Sequence, residues 1–337
     1  MKICTLLLSI LLTTFSVLTA QNKTDFKIAN TFHIKSGGGW DYLAVCPESN
    51  RLYVSHGTQV NVLDKTTGDS LGVISNTTGV HGIAFIPSSG KGYTSNGRLN
   101  NVSVFDLKTN AVSEQIATGE NPDAIMYEPF TKTLITCNGK SKDLSIIDPA
   151  TNKVIATIPV GGKPETAVSD EAGKLYVNNE DKSEIVVVDL KSFKVVNNWS
   201  IAPGEAPTGL AIDLKTKRLF AGCEKLLVVI DATNGKIIDK LTIGDGCDGV
   251  AFDNASKKIF TSNGEGSMTI IEEKTADTFM ILATVTTKKG ARTICLDEAT
   301  HTIYMPTADF EAKTNEDNPK ARPKMIAGTF QVLVIKQ

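Results

Sequence analysis

The sequence VNVLD at residues 60–64 is followed 42 residues later by VSVFD at residues 102–106. Four more runs of this form, each rich in β-branched residues and ending on an acid, occur at residues 144–148, 185–189, 227–231 and 268–272. The final acids of the six runs are spaced by 42, 42, 41, 42 and 41 residues. A period near 40 residues with several short strands per unit is typical of a β-propeller, in which each repeat forms one blade.

A single repeat contains the four strands of such a blade. Its apolar or β-branched runs are residues 164–169, 174–178, 184–189 and 194–201. Each run has about the usual length of a strand, and polar turns separate the runs. The middle runs carry nearly continuous Val and Ile, as expected where a sheet is covered on both faces. We therefore predict four-stranded antiparallel blades.

The two ends of the chain predict how the ring closes. Residues 27–34 (KIANTFHI) align with the last strand of a repeat at residues 236–243, but no earlier strands of a blade precede them. Runs near the C-terminus at residues 291–296, 302–305 and 329–335 supply three strands and lack a fourth. Pairing the N-terminal strand into the C-terminal blade removes an open sheet edge. The sequence thus predicts an all-β fold, a seven-bladed β-propeller closed by its N-terminal strand.

Several repeats also resemble a known family. RLYVS at residues 51–55, KLYVN at residues 174–178 and RLFA at residues 218–221 resemble the YVTN-type propeller repeat. The tail from RPK at residues 322–324 to GTFQVLV at residues 328–334 is similar to the end of exported bacterial YncE-like proteins. The resemblance covers essentially the whole chain after its N-terminal segment. It implies a propeller fold and an exported protein, and it implies no particular reaction, because this family has no single shared activity.

The N-terminal segment has the pattern of a secretory signal. It combines the basic residue Lys2, a short apolar stretch over residues 6–18 and the small residue Ala20. We predict a signal peptide at residues 1–20 and a single propeller domain at residues 21–337, exported to the periplasm or the extracellular space. The apolar stretch is short and interrupted by Ser and Thr, so no transmembrane anchor is expected. We expect the mature protein to be a monomer.

The charge balance argues against a nucleic-acid-binding protein, and the cysteines argue against a disulfide-rich or zinc-binding protein. The 35 basic and 37 acidic side chains give a net charge of −2, which lacks the basic footprint of a nucleic-acid partner. Beyond the signal peptide the cysteines are odd in number, contain no CxxC pair and match no zinc spacing, which argues against a disulfide scaffold. Cys223 and Cys247 fall at the top of adjacent blades five and six, which suggests a disulfide between them.

Two rings of side chains are predicted around the upper mouth of the channel. The first strand of each blade lines a propeller channel from its top face, and the second strand returns to that face. The predicted first ring, at the starts of the first strands, comprises Asp41, His81, Asp123, Glu165, Thr208, Asp248 and Arg292. The predicted second ring, at the ends of the second strands, comprises His56, Asn96, Asn138, Asn179, Cys223, Asn263 and Thr307.

The first ring brings four carboxylates, one His and one Arg to one opening. This set predicts a binding funnel for a cation, an amine or a polyhydroxylated ligand. If a divalent cation binds, the oxygen-rich set favours Ca²⁺, Mg²⁺ or Mn²⁺, with Asp123, Glu165 and Asp248 as candidate ligands. The alternative is that these residues line a water-filled tunnel and that the Asn residues of the second ring merely form turns.

Two first-ring residues, His81 and Arg292, differ from the Asp, Glu or Thr of the other repeats, and each suggests its own hypothesis. His81 is the candidate for proton transfer, because His titrates near neutral pH, although a structural His is the competing interpretation. Arg292 introduces a cation among acids. It could bind a ligand carboxylate or pair with Asp41 or Asp248 across the channel.

An insertion of about twenty residues at 309–328 interrupts the last blade between its second and third strands. A long connection in a compact domain is usually functional or disordered, so we consider a lid or rim beside the mouth and plain disorder as alternatives. Trp40 stands where other repeats have Pro, and it forms either an aromatic wall of the mouth or packing beneath blade one.

These features favour a binding module that recognises a small molecule, a glycan or a protein partner at its top face and requires no cofactor. The alternative is a metal-assisted hydrolase, lactonase or lyase that uses the acidic funnel with His81 as acid or base. The chain has no GxSxG elbow, P-loop, HExxH or dinucleotide fingerprint to support a specific enzyme class.

Overall fold

The computed structural model describes residues 24–312 and 324–337. The signal peptide predicted at residues 1–20 and the central part of the insertion predicted at 309–328 lie outside the described residues. The described segments contain strands and three short 3₁₀ turns, at Pro87–Ser89, Gly97–Leu99 and Glu180–Lys182, and no α-helix. Within them, no helix is long and apolar enough to cross a bilayer.

The strands are short and follow one another at regular intervals. The first half contains β1 (Lys27–His33), β2 (Trp40–Val45), β3 (Arg51–His56), β4 (Gln59–Asp64), β5 (Ser70–Ile74), β6 (Val80–Ile86), β7 (Lys91–Asn96), β8 (Asn101–Asp106), β9 (Val112–Ala117), β10 (Pro122–Glu128), β11 (Thr133–Asn138), β12 (Asp143–Asp148) and β13 (Lys153–Pro159). The second half contains β14 (Pro164–Ser169), β15 (Lys174–Asn179), β16 (Glu184–Asp189), β17 (Lys194–Ser200), β18 (Leu210–Asp213), β19 (Arg218–Cys223), β20 (Leu226–Asp231), β21 (Ile237–Thr242), β22 (Cys247–Asp253), β23 (Lys258–Asn263), β24 (Ser267–Thr275), β25 (Thr278–Thr286), β26 (Cys295–Asp297), β27 (Thr302–Thr307) and β28 (Gln331–Lys336).

These strands form seven four-stranded antiparallel sheets, which confirms the predicted seven-bladed β-propeller. Six blades use four consecutive strands each, from β2–β5 for blade one to β22–β25 for blade six. Blade seven has the order β1-β28-β27-β26 and combines both ends of the chain. The buried apolar residues form one cluster between each pair of neighbouring blades, so the core is a ring of inter-blade layers rather than one central mass.

The predicted closure by the N-terminal strand is confirmed. Phe32 of β1 lies opposite Val332 of β28 in an antiparallel register. The Phe32 side chain is only 3% exposed and packs in the cluster that contains Tyr304 and Phe330. Closure therefore adds a hydrogen-bonded edge and also buried apolar area between blades seven and one.

The acid that marks each repeat has a physical role in the turn after the third strand. In blade two, Oδ1 of Asp106 accepts hydrogen bonds from the backbone N–H groups of Lys108 at 3.0 Å and Thr109 at 2.7 Å. These bonds to the carboxylate lower the pKa of Asp106. An Asp at this position therefore fixes the tight connection to the fourth strand. Blade six, which has Glu272 instead, extends the hairpin of β24 and β25 to Thr275 and Thr278.

Side chains of one blade fix the start of the next blade around the channel. Ser95 Oγ in blade two donates a hydrogen bond to the backbone carbonyl of Asp123 in blade three. Thr293 Oγ1 in blade seven donates to the carbonyl of Asp41 in blade one at 2.6 Å. In blade four, Nδ2 of Asn178 donates to the carbonyl of Thr208 in blade five at 3.0 Å. The backbone that carries the first ring is therefore held rigidly.

Candidate functional site

One cavity at the top of the channel collects the whole predicted first ring. It has a volume of about 730 Å³, and its lining includes Asp41, His81, Asp123, Glu165, Thr208, Asp248 and Arg292. Five of these residues lie in the first strand of their blade. Thr208 and Arg292 instead precede β18 and β26, so the expected strand start is displaced in blades five and seven. The sequence rule nevertheless located one side chain from every blade at the same opening.

Asp41, His81 and Asp123 form the tightest group in this cavity. Nδ1 of His81 lies 2.6 Å from Oδ2 of Asp41 and 3.7 Å from Oδ1 of Asp123, so three neighbouring blades each contribute one residue. Burial alone would lower the pKa of His81, but the hydrogen bond to Asp41 and the negative charge of Asp123 outweigh this effect and raise it. The ring is thus oriented by one carboxylate and faces a second.

Asp123 is the most buried acid of the group. The residue is 9% exposed, and its Oδ1 atom is buried without a hydrogen-bond partner in the described structure. Burial, reinforced by the charge of Asp41, raises the pKa of Asp123. A buried carboxylate oxygen without a partner is costly, because desolvation is not compensated.

Arg292 joins two other acids of the first ring. Its Nη1 atom contacts Oδ2 of Asp248, and its Nη2 atom lies 3.3 Å from Oδ1 of Asp41 and 3.3 Å from the carbonyl oxygen of Trp40. The guanidinium therefore pairs with both acids that the sequence offered as alternative partners. It neutralises Asp248 and orients Asp41 toward His81.

A second cation at the mouth was not predicted. Nζ of Lys163 lies 2.5 Å from Oε1 of Glu165 and also contacts Oε2 of Glu180. Burial raises the pKa of Glu165, and the charge of Asp123 adds to this effect, while Lys163 opposes it. Lys163 could have been noticed in the sequence, because the residue two positions before the first-ring residue is Gly in four other blades.

Tyr42 is the other residue that sequence reasoning missed. It follows Asp41, at a position where the other blades have Gly, Ala or Thr, and it borders both the mouth and a deeper apolar cavity of about 190 Å³. Burial raises the pKa of its hydroxyl, and the carboxylates Asp123, Asp41 and Glu165 add to the shift. Tyr42 thus lines both the polar mouth and the apolar cavity.

The structure differs from the prediction for the second ring. The side chains at the ends of the second strands are fully buried, and none lines the mouth. Nδ2 of Asn96, Asn138, Asn179 and Asn263 donates to side chains of the following strand or turn of the same blade. His56 lies 2.9 Å from Ser36 Oγ and 3.0 Å from the carbonyl of Gly38, and burial lowers its pKa. These side chains therefore stabilise turns, which was the competing interpretation.

The acids grouped as candidate metal ligands do not converge. Among the described residues, the His, Cys and acidic side chains whose ligand atoms converge within 4.8 Å are Asp41, His81 and Asp123. Glu165 and Asp248, which the sequence analysis placed with Asp123, instead pair with Lys163 and Arg292. Each of these two carboxylates already has a basic partner, which would compete with a metal ion for it.

The disulfide hypothesis is wrong for this structure. Cys223 and Cys247 are both buried free thiols. Each sulfur is directed to a carbonyl within its own strand, Cys223 Sγ to Ala221 at 3.7 Å and Cys247 Sγ to Gly249 at 3.6 Å. Adjacent positions at the top of two blades are therefore insufficient to predict a disulfide, whose geometry is specific.

Trp40 combines the two roles considered for it. It lines the mouth, and its ring stacks on Phe330 with centroids 5.3 Å apart. On another side it contacts Phe310, at a centroid distance of 6.0 Å. Phe310 pairs with Met325 across the described base of the insertion. The two ends of this insertion are thus anchored beside the mouth, while residues 313–323 lie outside the described residues.

Comparison with known proteins agrees with the fold. The chain is similar in structure to Kuenenia stuttgartiensis hydrazine synthase, with a TM-score of 0.71, 18% sequence identity, and coverage of 86% of this chain and 96% of that chain. At this identity the similarity concerns the fold alone. No protein-family model and no curated protein sequence matches the chain. The similarity to YVTN-type and YncE-like proteins therefore remains a resemblance.

Proposed function

We propose that this protein is an exported binding module whose channel mouth holds a small polyhydroxylated ligand of the glycan class. The observation that carries the proposal is the convergence of one side chain from each of seven blades on one cavity of about 730 Å³. This volume lies within the usual range of about 300–1,000 Å³ for small-molecule sites. The resemblance to exported YncE-like proteins supports the same compartment.

The charge arrangement of the mouth favours hydroxyl groups over a simple ion. Carboxylates of Asp41, Glu165 and Asp248 alternate with the cations of Arg292 and Lys163. A hydroxyl group donates to a carboxylate and accepts from a guanidinium or an ammonium, so a polyol satisfies both kinds of group at once. The indole of Trp40 adds an apolar surface at the rim, which suits the face of a sugar ring.

The test is a calorimetric screen of the purified protein against mono- and oligosaccharides, with amino acids and polyamines as competing classes. For a saccharide that binds, Arg292→Gln should weaken affinity by about tenfold or more, because hydrogen bonds to charged groups contribute about 1.5–3 kcal/mol. Lys140→Gln is the matched control. Lys140 is a top-face cation whose side chain is 75% exposed and lies outside the cavity.

Equal loss of binding in the Lys140→Gln and Arg292→Gln variants would contradict the proposal, because it would indicate attraction by surface charge. If the protein binds amines or amino acids and no saccharide, the ligand class is an amine or amino acid instead of a glycan. A protein partner that binds equally well to both variants would move the function away from the cavity.

A hydrolase, lactonase or lyase is the second candidate function. It is favoured by the 2.6 Å contact between Nδ1 of His81 and Asp41, since a carboxylate at one ring nitrogen leaves the other free to exchange protons. Turnover of a lactone or glycoside panel that is lost in His81→Gln and retained in Lys140→Gln would support it. Saccharide binding without turnover in the wild-type protein would leave the binding module alone.

A further inference from the structure

We infer that Asp41, His81 and Asp123 form a binding site for one divalent transition-metal ion, such as Mn²⁺ or Zn²⁺, at the channel mouth. The ion would be held by Nδ1 of His81 and one carboxylate oxygen from each Asp. The metal site itself does not depend on the proposed function. Only its role rests on that function, in which the ion would offer open coordination positions to ligand hydroxyl groups.

The first support is geometry. The three ligand atoms lie within 4.8 Å of one another, and each comes from the rigid start of a different first strand. Hydrogen bonds from Thr293 and Ser95 to the backbones of Asp41 and Asp123 fix these strand starts. An ion between the three side chains therefore requires changes in side-chain rotamers and no rearrangement of the blades.

The second support is the unsatisfied state of one carboxylate oxygen at this site. Oδ1 of Asp123 is buried without a hydrogen-bond partner, and it faces His81 Nδ1 at 3.7 Å. Buried polar groups are normally satisfied, so an orphaned carboxylate oxygen aimed into the site indicates a missing positive partner. The other acids of the first ring have such partners, because Glu165 contacts Lys163 and Asp248 contacts Arg292.

The surroundings fit a second layer of contacts. Arg292 holds Oδ1 of Asp41 at 3.3 Å, which leaves Oδ2 for the ion. On the opposite side of the imidazole, a Cβ on Gly97 would come within 2.7 Å of both Nε2 of His81 and Oδ1 of Asn121, so only Gly leaves room for this ring orientation.

The chemistry of the donors selects the ion. An imidazole nitrogen with two carboxylates suits Mn²⁺, Fe²⁺ or Zn²⁺, whereas Ca²⁺ and Mg²⁺ prefer oxygen ligands throughout. His81 would bind through the Nδ1 lone pair with its remaining proton on Nε2. The ion then replaces the hydrogen bond between His81 and Asp41, and a proton bound to Nδ1 is released to solvent.

The test is titration of the chelator-treated protein with Mn²⁺ and Zn²⁺, with Ca²⁺ for comparison. We expect one Mn²⁺ or Zn²⁺ per chain and weaker binding of Ca²⁺. Asp123→Asn should weaken binding by about 100-fold or more, since even outer contacts of metal sites contribute about 10–100-fold. Asp245→Asn is the matched control, because it makes the same substitution outside the cavity, where the Asp245 side chain is 47% exposed and pairs with Lys225, and it should change affinity by less than about tenfold.

Spin-echo spectroscopy of the Mn²⁺ complex gives a second readout. It should detect coupling to an imidazole nitrogen that disappears in His81→Gln. Absence of saturable binding to the folded wild-type protein would overturn the inference, as would equal losses in Asp123→Asn and Asp245→Asn. Saccharide binding that persists in the presence of EDTA, together with no metal binding, would overturn the metal site and leave the binding module in place. Metal binding by a protein that binds no saccharide would support the metal site and contradict the proposed binding module.

Discussion

Nδ2 of Asn138, at the end of β11, donates a hydrogen bond to Oδ1 of Asp143, at the start of β12, at 2.7 Å. The same amide donates to Ser145 Oγ at 2.9 Å, and its oxygen accepts from Thr136 Oγ1 at 2.9 Å. One fully buried Asn therefore connects both strands across the turn at the top of blade three. Equivalent Asn side chains in blades two, four and six make corresponding bonds.

This relationship predicts that Asn138→Ala lowers stability and leaves the mouth intact. The substitution leaves the buried Thr136 hydroxyl without its partner and removes one of the two hydrogen bonds that Ser145 Oγ accepts, so we expect a loss of about 2 kcal/mol in the free energy of unfolding. Urea denaturation measures this loss, with Asn197→Ala on the exposed face of β17 as the control. Metal and saccharide affinities should match those of the wild-type protein. Weakened binding at unchanged stability would instead place Asn138 in the site.

The N-terminal strand predicts a second effect on stability. Phe32→Ala removes a large side chain that is 3% exposed between blades seven and one, so we expect a loss of about 3–4 kcal/mol in the free energy of unfolding. Ile28→Ala in the same strand is the control, because Ile28 is 38% exposed and should contribute less than about 1 kcal/mol. Similar losses in the two variants, measured by urea denaturation, would show that closure does not depend on this buried contact.

Strand periodicity and the repeat located the blades accurately. The predicted runs at residues 164–169 and 184–189 coincide with β14 and β16, because turn residues and buried β-branched runs leave little freedom in register. The first ring was found for a related reason. A propeller fixes where each first strand begins, so alignment of the repeats places seven side chains at one opening.

The pairing of those side chains could not be read from the same alignment. Whether Asp123 faces His81 or a cation depends on side-chain rotamers and on neighbours such as Lys163, which come from another blade. For the second ring, alignment placed each Asn at the top of its blade, but the amide turns back into its own sheet. Like Lys163, Tyr42 was a detectable signal that was missed, since an aromatic residue replaces small ones at its repeat position.

The cysteines give a third prediction. Cys46, Cys137, Cys223, Cys247 and Cys295 are all free thiols, so alkylation of the unfolded protein without reductant should modify all five. In the folded protein, burial raises the pKa of Cys223 and Cys247 to about 12, and alkylation there should be slow because the thiolate is the reactive form. Peptide mass spectrometry measures both states. A cross-linked peptide containing Cys223 and Cys247 would contradict the free thiols.

A buried acid far from the mouth gives the last prediction, on the pH dependence of stability. Glu273 is 5% exposed, and its Oε1 atom accepts a hydrogen bond from Thr216 Oγ1 at 2.7 Å, while its Oε2 atom is buried without a partner. Burial, with a further contribution from neighbouring Asp213, raises the pKa of Glu273 from 4.5 to about 7. Between these two values the folded state keeps a proton that the unfolded state has lost, so stability falls as pH rises through this window.

Glu273→Gln removes this titration and keeps the shape of the side chain. Above pH 7 the variant should be more stable than the wild-type protein by up to about 3 kcal/mol, because the wild-type protein must then either bury the charge or hold the proton. Below the unfolded pKa both carry a neutral side chain, so their stabilities should converge. Urea denaturation at acidic and alkaline pH measures the difference. Glu272→Gln is the control, since Glu272 is more exposed and pairs with Lys274 at 2.6 Å. A pH-independent difference between wild type and Glu273→Gln would show that folding does not shift the pKa of Glu273.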